Sequence, residues 1–292
     1  IAVRFRSDSP VIAVKWENTF NNSMKHMAPV GIKGLDLYCF IDGKWRFVNS
    51  AQPSGKTNQW QIISGMNAAE REYMLYLPLY DGIHSLQIGV TAPSHIGQPS
   101  LPYPDTRKPI IFYGSSITQG ACASRPGMAA TNLIGRKLNV ETINLGFSGN
   151  AFIDYEVAEM MAHVDASAYV LDYVPNASPE QILEKTEKFV RILREKHPDV
   201  PLIFVEDPIF PHSKFDLRMA KEIKDKNDAM NQAFSSLKKQ GLKKIYLVKG
   251  RSLISANGES TVDGIHFTDC GFEQYVDAIL PILKKAINHK KK

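Results

Sequence analysis

With 43% hydrophobic and 22% charged residues, the 292-residue chain has the composition of a folded globular protein, which excludes an intrinsically disordered or collagen-like chain. The 35 Lys and Arg exceed the 30 Asp and Glu by five, and residues 284–292 alone contain five lysines and no acidic residue. The net charge therefore belongs to one terminus and does not indicate a nucleic-acid partner.

The length favours two domains, because a single hydrophobic core rarely grows beyond about 250–300 residues. No apolar run approaches the roughly 18 residues that a membrane-spanning helix needs, so no membrane span is predicted. The chain begins at Ile1, without an initiator methionine and already in a strand-like run. Such a start indicates that preceding residues were removed, as a secretion signal or by shortening of the chain, and we expect an exported protein, periplasmic or secreted.

Residues 1 to 92 predict an all-β sandwich of the jelly-roll type. Short runs rich in β-branched and aromatic residues are separated by turn signals, and they lie at Val11–Trp16, Leu35–Ile41, Trp45–Val48 and Met74–Leu77. Asp42-Gly43, between the second and third runs, predicts a β-hairpin. Closely spaced strands with no clear helical stretch favour a sandwich or jelly roll.

A proline-rich stretch follows this β-structure. Residues 92–109 contain five prolines, which stiffen a chain towards extended geometry, as in a connection between domains. We take residues 92–108 as a linker and predict the boundary near residue 106. The β-domain is then residues 1–106, and a second domain is residues 107–292.

The second domain alternates strand-like and helical patterns. Apolar, strand-length runs lie at Ile110–Tyr113, Glu141–Leu145, Ala168–Asp172, Leu202–Val205 and Ile245–Val248. Helical patterns lie between or after them, the clearest at Pro179–Lys196 behind the N-cap Ser178, at Phe215–Gln240 and at Gly271–Asn288. This alternation predicts an α/β fold with a parallel five-stranded sheet, whose functional site lies at the carboxyl ends of the strands.

The first strand of this sheet is followed by Gly114-Ser115-Ser116. A serine on a glycine-flanked turn between a strand and a helix is exposed to substrate and lies beside backbone N–H groups, which suits a nucleophile whose attack generates an oxyanion. An ordinary turn is the alternative, and the G-x-S-x-G nucleophile elbow is absent because Thr118 occupies its last position.

Three further polar elements follow other strand ends and the last loop. Gly149 comes after the second strand, and the side-chain amide of Asn176 comes after the third. Asp263 precedes His266 by three residues, a spacing that lets the carboxylate orient the imidazole as a general base. Each element alone is compatible with a loop, but four in chain order favour one site.

These four elements resemble the sequence blocks of the SGNH (GDSL-like) hydrolase superfamily, over residues 109–285. The resemblance implies a flavodoxin-like hydrolase domain and a carboxylic ester hydrolase, with Ser116 as nucleophile and Asp263 and His266 as its triad partners. It also implies an oxyanion hole formed by the backbone N–H groups of Ser116 and Gly149 and by the Asn176 side chain.

The chain departs from the family pattern at three points. Ser115 replaces the Asp usual in the first block, Gly146 is a near rival of Gly149, and the glycine-rich GxND pattern around Asn176 is absent. Residues 34–38 resemble the GxDLY segment of a β-domain that precedes a bacterial SGNH subgroup, and residues 115–127 resemble the first block of the same subgroup.

The resemblance implies O-acyl esters, in particular O-acetyl esters of carbohydrate, as substrates. A lipase is disfavoured because no extended apolar lid is evident. The alternatives are a sugar O-acyltransferase and a non-catalytic carbohydrate-binding protein on the same fold. Substrate contacts are predicted for Arg125, with a structural ion pair as its alternative, and for Glu206, with capping of the next segment as its alternative. The sequence is silent on the oligomeric state.

Cysteine and histidine spacing points to no cofactor. The eight histidines show no HExxH or paired ligand spacing, so no catalytic metal is expected. Cys39, Cys122 and Cys270 are too few for a disulfide scaffold, and we expect free thiols, with a Cys122–Cys270 disulfide as the alternative.

Overall fold

In the computed structural model of the chain, the described residues are 1–102 and 108–288. The boundary predicted near residue 106 and the last lysines lie outside them. We refer to residues 1–102 as the β-region and to residues 108–288 as the α/β region. No helix among these residues is both long enough and apolar enough to cross a bilayer.

The β-region contains eight strands and one short helix. They are β1 (Ala2–Ser7), β2 (Ile12–Asn18), α1 (Pro29–Lys33), β3 (Leu35–Ile41), β4 (Lys44–Ala51), β5 (Thr57–Ile63), β6 (Arg71–Tyr76), β7 (Ile83–Gly89) and β8 (Ile96–Gly97). The strands form two antiparallel sheets, in the orders β4-β3-β6-β1-β8 and β5-β2-β7.

The two sheets pack face to face around one apolar core. Phe5, Leu37 and Leu75 of the larger sheet pack with Val14 and Trp16 of the smaller one. The predicted sandwich is therefore confirmed. The predicted hairpin is confirmed as well, because β3 and β4 pair on either side of Asp42-Gly43.

Strands β5 and β7 carry too weak a signal for the sequence to predict them. Each lies at an edge of the three-stranded sheet and pairs only with β2. Ile62 is the only buried hydrophobic residue of β5, and no residue of β7 is buried. Four residues of each strand are exposed, so neither strand has the continuous apolar run that a sequence pattern needs.

The α/β region has five strands and six helices. They are β9 (Ile110–Gly114), α2 (Ser116–Gln119), α3 (Ala130–Leu138), β10 (Thr142–Gly146), α4 (Tyr155–Ala162), β11 (Ala168–Asp172), α5 (Pro179–Lys196), β12 (Leu202–Val205), α6 (Leu217–Lys239), β13 (Ile245–Val248) and α7 (Asp269–Asn288). The parallel sheet has the order β10-β9-β11-β12-β13, which is the flavodoxin-like order that the resemblance implies.

Helices cover both faces of this sheet, so its central strands are apolar throughout. Every residue of β9 is buried, as is every residue of β11. Helices α3 and α7 pack on one face, and α4, α5 and α6 pack on the other. Helix α5 begins as predicted, because the Ser178 side chain and Gln181 form a capping box.

The two regions are joined by an ion pair that lies almost entirely out of solvent. Asp36, on β3, is fully buried, and its Oδ2 accepts hydrogen bonds from Arg125 Nη1 (2.9 Å) and from the Gly127 N–H (2.8 Å). The Arg125 guanidinium also lies 3.8 Å from the ring centroid of Phe47, on β4. The side chain of Arg125 thus attaches the α/β region to the larger β-sheet.

A second buried carboxylate lies under the strand ends of the parallel sheet. Asp172, the last residue of β11, is 1% exposed, and its Oδ2 accepts hydrogen bonds from Tyr275 (2.6 Å) and Thr118 (2.9 Å). Burial raises the pKa of Asp172 to about 7, although both hydrogen bonds favour the charged form. The carboxylate ties α7 to the turn that carries α2.

We predict that Arg125→Ala destabilises the protein by about 3–5 kcal/mol, because it leaves the Asp36 carboxylate buried without its cation. Equilibrium denaturation gives the free energy of unfolding. The control is Arg191→Ala, which breaks an exposed ion pair with Glu187 and should cost less than about 1 kcal/mol. Equal effects of the two substitutions would contradict a structural role for the buried pair.

Asp172 should make the stability depend on pH. Its folded-state pKa of about 7 lies above the usual value of 3.8, so the folded state binds its proton more tightly than the unfolded state does. The free energy of unfolding should therefore fall as the pH rises between these two values, and Asp172→Asn should reduce this fall. Denaturation across that pH range tests this, with the exposed Asp277→Asn as control; parallel pH profiles for Asp172→Asn and the wild type would refute it.

Candidate active site

The turn after β9 presents Ser116 at the carboxyl edge of the sheet. Ser115 is the N-cap of α2, and its Oγ accepts the Ile117 N–H at 3.2 Å. Ser116 is the first residue of the helix and is 7% exposed. The local sequence therefore fixes the helix start one residue before the candidate nucleophile.

Two glycines make room for this turn. A Cβ on Gly114 would lie 2.7 Å from the Asp172 carbonyl oxygen and would overlap the Thr118 side chain. A Cβ on Gly146, at the end of β10, would overlap the Gln119 backbone. The neighbouring strand ends can approach α2 this closely only because both positions lack a side chain.

Ser116, His266 and Asp263 form a continuous chain of hydrogen bonds. Ser116 Oγ lies 2.9 Å from His266 Nε2, and His266 Nδ1 lies 2.7 Å from Asp263 Oδ2. The loop that carries the last two residues is closed by a hydrogen bond from the Val262 N–H to the His266 carbonyl (2.8 Å). It is anchored by Phe267, which is fully buried.

The Asp263 carboxylate is held in its charged form. Partial burial acts against ionisation, but hydrogen bonds from the His266 ring and from the His266 and Ile265 N–H groups lower the pKa of Asp263 to about 2. An ionised carboxylate on Nδ1 leaves Nε2 as the nitrogen that can accept a proton from Ser116. A serine in this arrangement can attack an ester carbonyl.

The two other family-block residues follow the neighbouring strands. The loop of Gly149 is tied to α2 by a hydrogen bond from the Ser148 N–H to Gln119 Oε1 (3.0 Å). Asn176 Oδ1 accepts the Ala151 N–H at 3.3 Å, which leaves its amide Nδ2 for another acceptor. Among the described residues, neither the Gly149 N–H nor Asn176 Nδ2 has a hydrogen-bond partner. Gly146 instead packs against α2, so Gly149 is the better candidate donor.

Arg125 and Glu206 have structural partners. Arg125 pairs with Asp36, so its alternative role as a structural ion pair is the one that the geometry favours. Glu206 accepts hydrogen bonds from the Gly250 N–H (2.8 Å), Lys249 (2.9 Å) and Asn231 (2.8 Å). These contacts fix the segment after β13, whereas the sequence predicts that Glu206 caps the segment that follows it directly. Substrate contacts by Arg125 and Glu206 stay predictions from the sequence.

The β-region reaches this site, which the sequence does not predict. The Tyr80 hydroxyl lies 3.4 Å from the Ser116 carbonyl oxygen, and the His26 ring lies 5.3 Å, centroid to centroid, from the His266 ring. Cys122 Sγ contacts the His26 carbonyl oxygen at 3.3 Å. The three-residue spacing of Asp263 and His266 identifies a site within one loop, but it cannot reveal contacts between residues so far apart in the chain.

All three cysteines are free thiols, as the sequence predicts. Cys39 and Cys122 are buried and Cys270 is exposed, so the alternative Cys122–Cys270 disulfide is not present. Burial and the negative charge of Asp263 raise the pKa of the Cys122 thiol to about 12. Cys122 is therefore a neutral thiol beside the Ser116 hydrogen-bond chain and not a competing nucleophile.

Two family models match the chain. The model of the GDSL-like lipase/acylhydrolase family matches residues 107–284, and the model described as the N-terminus of Esterase_SGNH_hydro-type (GxDLY) matches residues 1–96. No curated protein sequence matches the chain significantly.

Several solved structures are similar over nearly the whole chain. A GDSL-like protein of Bacteroides ovatus is 40% identical, with 98% of this chain and 84% of that chain covered and a TM-score of 0.94. A salicylyl-acyltransferase from a tetracycline biosynthetic pathway is 16% identical (97% and 82% covered, TM-score 0.74). A family two carbohydrate esterase from Clostridium thermocellum, in complex with cellohexaose, is 12% identical (98% and 92% covered, TM-score 0.68). The last two share the fold.

The family match and the 40% identical structure confirm the resemblance that the four sequence blocks indicate. They also confirm the predicted enzyme class, because the matched family consists of ester-cleaving proteins by its description. The chain belongs to the GDSL-like lipase/acylhydrolase family and is a carboxylic ester hydrolase.

Proposed function

We propose that the protein is a serine esterase that hydrolyses O-acyl esters, in particular O-acetyl esters of carbohydrate, through an acyl-enzyme on Ser116. The observation that carries this proposal is the unbroken chain of hydrogen bonds from Ser116 through His266 to Asp263. A buried serine that is hydrogen-bonded to an oriented imidazole has an activated hydroxyl, which a binding protein does not need.

In the first half of the reaction, Ser116 Oγ attacks the ester carbonyl carbon while His266 Nε2 takes the hydroxyl proton. The negatively charged Asp263 stabilises the imidazolium that forms. When the tetrahedral intermediate collapses, the bond to the alcohol breaks, and His266 returns the proton to the departing alcohol oxygen. The acyl group is then an ester of Ser116.

In the second half, a water molecule attacks the acyl-enzyme with His266 again as general base. The carboxylic acid leaves and Ser116 regains its proton. We assign the N–H groups of Ser116 and Gly149 and the Asn176 amide as donors to the oxyanion in both halves. Each removed donor of this type costs about 10²–10³ in rate.

Two features support a carbohydrate ester as the substrate. One structure of the same fold is a carbohydrate esterase with bound cellohexaose, which gives the fold a precedent for glycans. In addition, the site is open at the surface: Phe147, near Gly149, is 39% exposed, and Val262, next to Asp263, is 49% exposed. Such apolar surfaces suit the C–H faces of sugar rings. Export of the protein stays a prediction from the sequence.

Acyl transfer to a sugar is the second candidate, because an acyltransferase shares this fold. Transfer uses the same acyl-enzyme and differs only in the acceptor, which is a sugar hydroxyl instead of water. Product analysis with and without an added acceptor separates the two reactions.

We predict that Ser116→Ala abolishes hydrolysis of p-nitrophenyl acetate without unfolding the protein, because no other described residue holds a hydroxyl on His266. A fluorophosphonate probe should label the wild type and not the variant. The control is Ser124→Ala, whose Oγ donates to Asp269 instead of to His266. Normal turnover by Ser116→Ala would end the proposal, and absence of labelling in the wild type would favour a non-catalytic binding protein.

Asn176→Ala extends this test to the oxyanion donors. It should lower kcat by about 10²–10³ and retain measurable activity, because two backbone donors remain. A loss as complete as that of Ser116→Ala, or no loss at all, would contradict the assignment of Asn176.

Substrate class is tested by comparing acetylated glycans with longer acyl esters of the same sugars, with Ser116→Ala as the blank. We expect release of acetate from the glycans to exceed release of longer acids. A preference for long acyl chains would contradict an O-acetyl substrate, and acylated acceptor in place of free acid would identify a transferase.

A further inference from the structure

Four side chains beside the proposed catalytic residues have the composition of a metal site. His26, Cys122, Asp263 and His266 each direct one nitrogen, sulfur or oxygen atom into a common space, and these atoms all lie within 4.8 Å of one another. Two imidazoles, one thiol and one carboxylate make a ligand set typical of Zn²⁺. We propose that these four residues bind one Zn²⁺ ion and that this ion inhibits the enzyme reversibly.

The distances require only small movements for coordination. Zinc bonds of about 2.0–2.3 Å put tetrahedral ligand atoms about 3.3–3.8 Å apart, so separations of up to 4.8 Å need limited side-chain rotation. The His26 side chain is exposed, and in the part of the chain that the structure describes its ring nitrogens have no hydrogen-bond partner. His26 therefore breaks no hydrogen bond of its ring when it turns towards the ion.

The remaining ligands are held in place by the fold. Cys122 is 7% exposed, and its thiol contacts the His26 carbonyl, so the sulfur is fixed next to the loop that supplies the histidine. Met27 and Ile32 of the β-region pack with Ala121 and Cys122 in one apolar cluster. The site is thus built between two parts of the chain that are already packed together.

The ligand types select the metal. Mg²⁺ and Ca²⁺ prefer sets made of oxygen atoms, whereas a thiolate with two imidazoles suits Zn²⁺. When the ion binds, the Cys122 thiol releases its proton to solvent, because the thiolate is the ligand form. The two histidines bind as neutral imidazoles, and if Nδ1 of His266 is the ligand atom, its hydrogen moves to Nε2.

Zinc binding and catalysis exclude each other in this geometry. His266 and Asp263 are ligands of the ion and also successive members of the hydrogen-bond chain to Ser116. An ion bound to both residues displaces the contact between His266 and Asp263 and makes the imidazole a weaker base, so His266 no longer accepts the Ser116 proton. The inhibitory part of the inference rests on the proposed function, and the binding part does not.

Binding is therefore measured first on Ser116→Ala, which keeps all four ligands. Isothermal titration calorimetry should give one Zn²⁺ per chain, and the melting temperature should rise with zinc concentration, because the ion binds only the folded state. Co²⁺ in place of Zn²⁺ should give a sulfur-to-cobalt charge-transfer band, which reports on Cys122 directly.

His26→Ala and Cys122→Ser remove one ligand each. Each should weaken zinc binding at least about 10–100-fold, since even the loss of a residue that supports a ligand has an effect of this size. Cys122→Ser should also abolish the charge-transfer band. The matched controls are His84→Ala, an exposed histidine of the β-region, and Cys270→Ser, an exposed cysteine, and both should bind zinc as the wild type does.

Inhibition is then measured as the loss of esterase rate when Zn²⁺ is added, relative to the metal-free rate of the same variant. A chelator should restore the rate. We expect the inhibition constants to follow the calorimetric affinities across the series. Zinc affinity that is unchanged in both ligand variants, or the absence of a sulfur band, overturns the site. If zinc binding depends on His26 and Cys122 but does not change the esterase rate, the inhibitory role is wrong and the site stands. If zinc binds in this way but the metal-free wild type has no esterase activity, only the proposed function is contradicted.

Discussion

The close approach of the strand ends to the Ser116 turn is the constraint on which the rest of this structure depends. Gly114 and Gly146 have no room for a side chain, because α2 lies directly against both. Asp172, at the next strand end, holds the same turn through Thr118 and reaches α7 through Tyr275. The ends of three adjacent strands therefore fix the position of Ser116. The loop that carries His266 places the imidazole within hydrogen-bond distance of it.

The β-region acts as a second support for this site. Asp36 is buried within the larger antiparallel sheet, and it binds Arg125 and the Gly127 N–H a few residues after α2. Because this contact fixes the segment that follows Ser116, Tyr80 and His26 of the β-region lie beside the proposed catalytic residues. The β-region is thus part of the wall of the site.

Sequence patterns predict the elements whose signals are local. The strands Ala168–Asp172, Leu202–Val205 and Ile245–Val248 are observed with the predicted bounds. Every residue of the first two is buried, and the third is a short apolar run whose two end residues are buried. Helix α6 begins at Leu217 instead of Phe215, since Asp216 caps it and a short 3₁₀ turn precedes it. Strands β5 and β7 escape prediction because each has four exposed residues and at most two buried ones, which leaves no apolar run.

By itself, the sequence determined the fold class, the family and the residues Ser116, Asp263 and His266 as candidates, because turn chemistry, strand-length runs and the spacing within one loop are local properties. Only the tertiary structure decided what Arg125, Asp172 and His26 contact. Arg125 pairs with the buried carboxylate of Asp36, and Asp172 is buried beneath the Ser116 turn. His26 belongs to the β-region and lies against the His266 ring. Each of these contacts joins residues more than 50 positions apart, and such pairing depends on how the two regions pack, which no local pattern records.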